Sequence, residues 1–271
     1  MTRIVSTLAI IVALAACREA PPAPAAGDAQ SAAASPAPST GATAAARTES
    51  SVDAARQIDE ETDLFFFEYA WPGAAGRIPA LAAELERRAD EARSTLERDA
   101  RTAREEAEEG GYDFRKHSFG LDWKKVTDLP DYLSLSGGFY TYSGGAHGNS
   151  GMQSLVWDKN AGQALDGIDL FISREALEQA LGNRTCTALN AARRAKLGQV
   201  PENATCPHVD EFTVLVGSSN GAYFDRLTLY AGPYVAGAYA EGAYEVDLAI
   251  DGRTRAAVKP QYRPAFAPPS Q

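Results

Sequence analysis

The sequence is poor in the residues that most often build metal and redox sites. Its 271 residues include three histidines, three cysteines and two methionines, with no HxxxH metal motif and no complete catalytic motif. A basic stripe is missing too, since 36 acidic residues outnumber 26 basic ones and give a formal net charge of -10. This charge argues against nucleic acid and anionic lipid headgroups as partners. We therefore predict a protein with no metal, no cofactor, no nucleic-acid partner and no enzymatic activity.

A long hydrophobic run is also absent. The apolar stretch from Ile4 to Leu14 is too short for a stable transmembrane helix, and with Arg3 before it and small residues after it, it predicts a secretory signal peptide over residues 1–16. The letters LAAC, which end at Cys17, are similar to the lipobox of bacterial lipoproteins, in which this cysteine carries the lipid. Arg18 follows the cysteine in place of Asp, which favours the outer membrane. We expect a periplasmic protein that is lipid-anchored through Cys17 to that membrane.

Large apolar residues are nearly missing from the next segment, residues 17–55, which consists mainly of Ala, Pro, Ser, Gly and Thr. Such a segment cannot bury enough surface to offset the entropy lost on ordering, so we predict a disordered tether. About 200 residues remain, which is enough for one large domain or two small ones.

Once Cys17 is assigned to lipid, two cysteines remain, Cys186 and Cys206. In an oxidising periplasm this even pair predicts a disulfide, and closing a loop of about 20 residues would contribute roughly 3 kcal/mol of stability. The alternative is a zinc site, because His208 stands two residues after Cys206. One such pair with a distant second cysteine is a weak zinc pattern.

The folded part begins with strand-forming residues at Phe65 to Trp71. A long apolar stripe at helical spacing then runs from Pro79 to the double glycine at Gly110 and Gly111. Strands, a shorter helical segment and more strands follow. This order predicts an α+β fold, with mostly antiparallel sheet(s), one long N-terminal helix and a second helical segment packed on it.

Three local signals refine this prediction. The pair Gly137 and Gly138 inside an alternating strand pattern predicts a β-bulge. Asp158 to Gly162 predicts the tip of a hairpin, and Ser173 predicts the N-cap of a helix.

Three stretches of the sequence carry a resemblance to a known family. The stretch YTYSGGAHGN at 140–149, the stretch VWDKNAGQALDGIDLF at 156–171 and the stretch LTLYAGPYVAGAYAEG at 227–242 resemble an extracytoplasmic domain of unknown function. This domain is found in RsiV-like anti-sigma factors and ahead of the catalytic domain of PdaC-like peptidoglycan deacetylases. The resemblance implies an N-terminal half at 56–130 and a C-terminal half at 131–264 that holds the GGAHG turn and the PYVAGAYAEG loop, with a tail at 265–271.

The resemblance also implies a class of function. In RsiV-like proteins the domain binds lysozyme, whereas in PdaC-like proteins the chemistry belongs to a separate metal-dependent domain whose motif this sequence lacks. The resulting prediction is a lipid-anchored module for binding or sensing in the cell envelope, with a lysozyme-like protein or peptidoglycan as its partner. A passive structural lipoprotein is an alternative.

His147 in the GGAHG turn permits two hypotheses. As a structural residue, its ring would donate to a backbone carbonyl and stabilise a turn whose glycines adopt positive φ. As a catalyst, it would make the protein a hydrolase of envelope glycans or esters, but no second catalytic motif accompanies it. We favour the structural role, and we predict that the turn and the late loop meet in one binding surface that contains Tyr142, His147, Tyr234 and Tyr239.

Overall fold

The computed structural model describes residues 54–267. The predicted signal peptide, Cys17, nearly all of the predicted tether and the last four residues lie outside the described residues. The strands are β1 (Arg56–Glu61), β2 (Phe65–Trp71), β3 (His117–Asp128), β4 (Tyr132–Tyr142), β5 (Asn149–Asp158), β6 (Gln163–Leu165), β7 (Thr213–Gly217), β8 (Arg226–Ala231) and β9 (Tyr244–Ala249). The helices are α1 (Gly73–Gly76), α2 (Pro79–Gly110), α3 (Arg174–Leu181), α4 (Arg184–Leu197) and α5 (Gly252–Ala256). None of these helices is both long and apolar enough to cross a bilayer.

The strands form two sheets, which confirms the mixed α+β class. The first sheet has the order β1-β2-β3-β4-β5-β6 and the second the order β7-β8-β9. Neighbouring strands are antiparallel except for β2 and β3, which are parallel because α2 carries the chain back across the sheet between them. The first sheet therefore continues through residue 130, the predicted boundary between the two halves.

Helix α2 covers one face of the first sheet. Alternate residues of β2 point to this face and are buried: Phe65, Phe67, Tyr69 and Trp71. Burying rings of this size contributes about 1.5–3 kcal/mol each, so this strand is a main source of the stability of the helix-sheet layer. The indole N–H of Trp123 on β3 donates to the Tyr69 hydroxyl at 3.0 Å, which satisfies both polar atoms inside the core.

The bulge predicted at Gly137 and Gly138 is wrong. Both residues pair in regular register with β3, and the irregularity of this strand pair lies between Lys125 and Thr127. Gly137 instead makes room for packing, because a Cβ there would lie 2.9 Å from the indole of Trp123. Gly137 is therefore required on β4 because the indole of Trp123 on the neighbouring strand β3 packs against its backbone.

The second sheet packs on the opposite face of the first sheet. Strand β5 contributes to both cores, since Leu155 and Trp157 face α2 while Val156 packs in the cluster that contains Val214 and Leu229 of the second sheet. Helix α4 packs against β9. The first sheet is therefore a shared wall between two hydrophobic cores.

Several local predictions are confirmed. Cys186 and Cys206 form a disulfide with a Cα–Cα distance of 5.6 Å, so Cys206 has no thiolate for the alternative zinc site. The Ser173 side chain accepts a hydrogen bond from the Ala176 N–H and caps α3. The hairpin between β5 and β6 turns at 159–162, where Gly162 has φ 65°.

Candidate functional site

The GGAHG turn joins β4 to β5. Gly144 has φ 85°, which is the left-handed conformation that the sequence predicted for a glycine of this turn. The Tyr142 hydroxyl donates to the Gly145 carbonyl at 3.0 Å, and this hydrogen bond stabilises the turn. The hydroxyl of Tyr142 is thereby used within the turn.

Gly148 connects the turn to its surroundings. Its carbonyl accepts two hydrogen bonds, from Nδ1 of His147 at 2.9 Å and from the hydroxyl of Tyr239 at 3.0 Å. The ring of Tyr140 lies directly over this residue, and a Cβ at Gly148 would come within 2.2 Å of it. Only glycine leaves space for this ring.

Hydrogen bonds from buried or half-buried side chains fix the late loop between β8 and β9. Arg193 of α4 is 2% exposed and donates to the carbonyls of Thr205 and Ala236, which connects the loop to the segment of the disulfide. At the end of the loop the Glu241 carboxylate accepts from the Ala238 N–H at 3.0 Å and from the Tyr244 hydroxyl at 2.6 Å. The hydrogen bond from Tyr244 lowers the pKa of Glu241 below its ordinary value. These contacts hold a loop that contains no strand or α-helix.

The turn and the loop meet through a row of three aromatic rings, of which two are stacked. The imidazole of His147 lies 4.1 Å from the ring of Tyr239, with 28° between the planes. Tyr239 in turn lies 5.3 Å from Tyr234. We call Tyr140, His147, Tyr234 and Tyr239 the turn-loop surface. Three of the four predicted binding residues are thus brought together, whereas the hydroxyl of Tyr142 is hydrogen-bonded within the turn.

Tyr234 is the outermost ring of this surface. It is 64% exposed, and its φ of 72° is the one positive value among the non-glycine residues 54–267. A bulky side chain in this conformation costs roughly 1–2 kcal/mol. Strained residues of this kind cluster at binding and active sites, so the conformation marks Tyr234 as a residue that the loop presents outward.

His147 has an environment that suits a structural role. Donation from Nδ1 to the Gly148 carbonyl leaves Nε2 as an acceptor in the neutral ring. In the part of the chain that the structure describes, no carboxylate forms an ion pair with this imidazole and no hydroxyl donates to it. Glu241, the acid at the end of the late loop, is hydrogen-bonded to Tyr244 and Ala238 instead. The partners that a triad needs are not assembled around His147.

An acidic depression adjoins the turn-loop surface on the face of the first sheet that α2 does not cover. Its volume is about 590 Å³, and Tyr140 lines it as well as covering Gly148. Backbone forms the floor at Gly138, where a Cβ would meet no atom within 4 Å. Three exposed carboxylates surround the floor, those of Asp59, Glu68 and Asp122. We call this feature the open-face depression.

The carboxylates give the open-face depression a negative potential. Among the described residues only Asp122 of the three has a cation within ion-pair distance, Lys124 at 3.4 Å. Sequence reasoning did not single out these acids. The alternation of β2 places Glu68 opposite the buried rings, but the parallel pairing that sets Glu68 beside β3 was not visible before the fold was known.

The fold and this surface define a class: an α+β domain in which the part of the sheet face that neither α2 nor the second sheet covers combines exposed aromatic rings with carboxylates. Comparison with protein families adds a similarity over part of the chain. Residues 58–150 match the family model described as Deacetylase PdaC, which confirms the predicted resemblance to a PdaC-like domain of unknown function. The matched segment includes β2, α2, β3, β4 and the GGAHG turn.

Solved structures of similar proteins include two members of the family of unknown function DUF3298. The protein from Bacteroides fragilis is 15% identical, with 72% of this chain and 89% of that chain covered and a TM-score of 0.46. The protein from Pseudomonas aeruginosa is 17% identical, with 80% and 97% covered and a TM-score of 0.45. The comparison with curated proteins finds no match.

Proposed function

We propose that this protein is a recognition module of the bacterial cell envelope and that its ligand binds the turn-loop surface. The observation that carries the proposal is the contact of three rings, with His147 stacked on Tyr239 and Tyr234 tilted against Tyr239, the outermost of them exposed in a strained backbone conformation. Tyrosine rings provide large rigid contact areas at low entropic cost and often dominate binding energies.

The charge around the turn-loop surface favours a cationic protein, such as a lysozyme-like one, as the ligand. The open-face depression places three carboxylates next to Tyr140, and the whole chain has a formal net charge of -10. Complementary charge accelerates association and orients the partner before contact. Peptidoglycan is the second candidate, because exposed ring faces and carboxylates also bind sugars through stacking and hydroxyl hydrogen bonds.

The name of the matched family model suggests a hydrolase as the alternative function. A hydrolase that uses His147 would require an acid or hydroxyl partner for its ring, and the described residues supply none. Within residues 54–267, no group of three or more His, Cys, Asp or Glu side chains is arranged to hold a metal ion. Recognition therefore fits the geometry of this surface better than hydrolysis does.

The proposal includes the N-terminal anchor. A signal peptide over 1–16 and a lipid on Cys17 would hold the module at the outer membrane, with the predicted tether between membrane and domain. Intact mass of the protein extracted from membranes tests this part. Cleavage before Cys17 with an added acyl mass supports the anchor, and an uncleaved or unacylated N-terminus contradicts it.

Binding is tested with the purified chain immobilised on a sensor, with lysozyme and soluble peptidoglycan fragments injected separately. We expect Tyr234→Ala to weaken binding of the true ligand about tenfold, since an aromatic anchor contributes more than about 1.4 kcal/mol. Tyr112→Ala is the matched control, because Tyr112 is 60% exposed but lies just after the end of α2. Failure of both ligands to bind, or equal loss with the control, would refute the proposal.

A second pair of variants tests the charge. Glu68→Gln and Asp122→Asn together should slow association with lysozyme several-fold at low salt, and the difference should vanish at high salt because screening removes steering. An unchanged association rate at low salt would show that the open-face depression does not contribute to recognition.

A further inference from the structure

A second cavity lies on the other face of the first sheet, between the sheet and α2. It has a volume of about 580 Å³, within the range of about 300–1,000 Å³ that small-molecule sites occupy. Ala92 and Leu96 line it from the helix, and Phe119 and Leu121 line it from β3. The cleft forms where α2 presents the small side chains of Ala89 and Ala92 to the sheet, between Leu85 and Leu96. We call it the helix-sheet cleft.

The helix-sheet cleft contains a buried imidazole, that of His117 at the start of β3. His117 is 5% exposed and lines the cleft. Among residues 54–267, no group forms a hydrogen bond with its ring, whose nearest aromatic neighbour is Phe114 at 5.9 Å between centroids. In the described part of the chain the one fully buried side-chain polar atom without a partner is Ser134 Oγ, so the ring nitrogens of His117 are accessible from the cleft and are open to a hydrogen bond with a ligand there.

The surroundings of His117 favour the neutral form of its imidazole. Burial lowers its pKa below the ordinary value, although the negative charge of Asp99 opposes this effect. A neutral ring offers one donor and one acceptor. Gln153 and Thr141 also line the cleft and bring an amide and a hydroxyl. The polar side chains that line the cleft are uncharged, apart from the charged residues Arg87, Arg88, Glu91 and Asp99.

The charged groups at the rim of the cleft already have partners. Arg87 pairs with Glu84 and Glu91, and Arg88 pairs with Glu84. Asp99 has the guanidinium of Arg98 at 3.9 Å. An ionised ligand group would have to displace one of these pairs, whereas an uncharged ligand would not.

We propose that the helix-sheet cleft binds a small uncharged molecule with an aromatic or branched aliphatic body and one N–H or O–H group that hydrogen-bonds to His117. The apolar walls bury the body of the ligand, and the imidazole accepts from its polar group. This site lies on the opposite face of the sheet from the open-face depression and is independent of the proposed recognition of an envelope ligand.

The test uses N-phenyl-1-naphthylamine, an uncharged aromatic probe with a single N–H whose fluorescence rises in an apolar site. We expect a saturable rise with one probe per chain. Ala92→Trp should abolish it by filling the cleft, and His117→Phe should weaken binding about tenfold by removing the acceptor while preserving an aromatic ring. His208→Phe is the matched control, since His208 is exposed and lies outside the cleft.

A measurement on the unaltered chain removes the dependence on folded variants. The chain has three histidines, so the proton spectrum contains three resolvable imidazole Cε1–H signals. The probe should shift the signal of His117 and leave those of His147 and His208 in place. No saturable binding, full binding by folded Ala92→Trp, or a shift at either of the other two histidines alone would overturn the proposal.

Discussion

The backbone strain at Tyr234 predicts that a glycine variant at this position is more stable than an alanine variant, which reverses the usual order. The residue has φ 72°, and its ring contacts Tyr239. Both Tyr234→Gly and Tyr234→Ala lose this ring contact, so the comparison between the two variants isolates the backbone. At an exposed position with ordinary φ, glycine is the less stable of the two because it leaves the unfolded chain more freedom.

The magnitude follows from two opposing terms. An L-residue in the left-handed region costs roughly 1–2 kcal/mol, which glycine avoids. Glycine loses about 0.5–1 kcal/mol relative to alanine through its conformational entropy. We therefore expect Tyr234→Gly to be more stable than Tyr234→Ala by about 0.5–1 kcal/mol, with both variants equally weakened in ligand binding.

Urea unfolding of the oxidised protein measures this difference. With a slope of about 2–3 kcal/mol per molar, typical at the upper end for small proteins, the two midpoints should differ by roughly 0.3 M. Ala238→Gly is the control, because Ala238 is an exposed residue of the same loop with φ -64° and should become less stable on replacement. If Tyr234→Gly is less stable than Tyr234→Ala by as much as this control, the residue stores no strain and the reasoning fails.

Three further outcomes follow from contacts described above. In a double-mutant cycle, His147→Ala and Tyr239→Ala should show a coupling of about 0.5–1.5 kcal/mol, whereas strictly additive unfolding free energies would exclude the stacking contact. Replacing Cys186 and Cys206 by serine should lower the unfolding free energy by roughly 3 kcal/mol, and an unchanged urea midpoint would contradict this. Hydrogen bonds from two arginines of α2 lower the pKa of Glu84 from 4.5 to about 2, so its contribution to stability is complete above about pH 4.5 and is lost as the pH falls towards 2. Glu84→Gln should therefore flatten the acid limb of stability in that window, and an identical limb would count against the ion pairs.

Local chemistry was readable from the sequence. The cap at Ser173, the hairpin tip that ends at Gly162 and the disulfide all depend on residues whose preferences act over a few positions or on simple cysteine counting. The α+β class followed from the order of strand and helix patterns. The contact between the turn and the loop was inferred from two motifs together, and the stack of His147 on Tyr239 shows it directly.

Features that depend on long-range packing were not readable. Nothing in the alternation of β3 shows that His117 faces a cleft, because the cleft arises from how α2 lies on the sheet. Gly137 illustrates the same limit: a glycine in a strand can permit either a bulge or a close aromatic approach, and only the position of Trp123 decides between them. Tyr142 was predicted to bind a ligand because it is a tyrosine beside a glycine-rich turn, yet its hydroxyl donates a hydrogen bond within the turn.

Strand β5 has a consequence for how the described domain loses its structure. Leu155 and Trp157 belong to one core and Val156 to the other, so neither core can open without exposing its side of the same strand. Loss of β5 from one layer removes the support of the second at once. We expect a single cooperative transition, in which the fluorescence of Trp71, Trp123 and Trp157, all on the α2 side, and the backbone signal of the whole domain change at the same urea concentration.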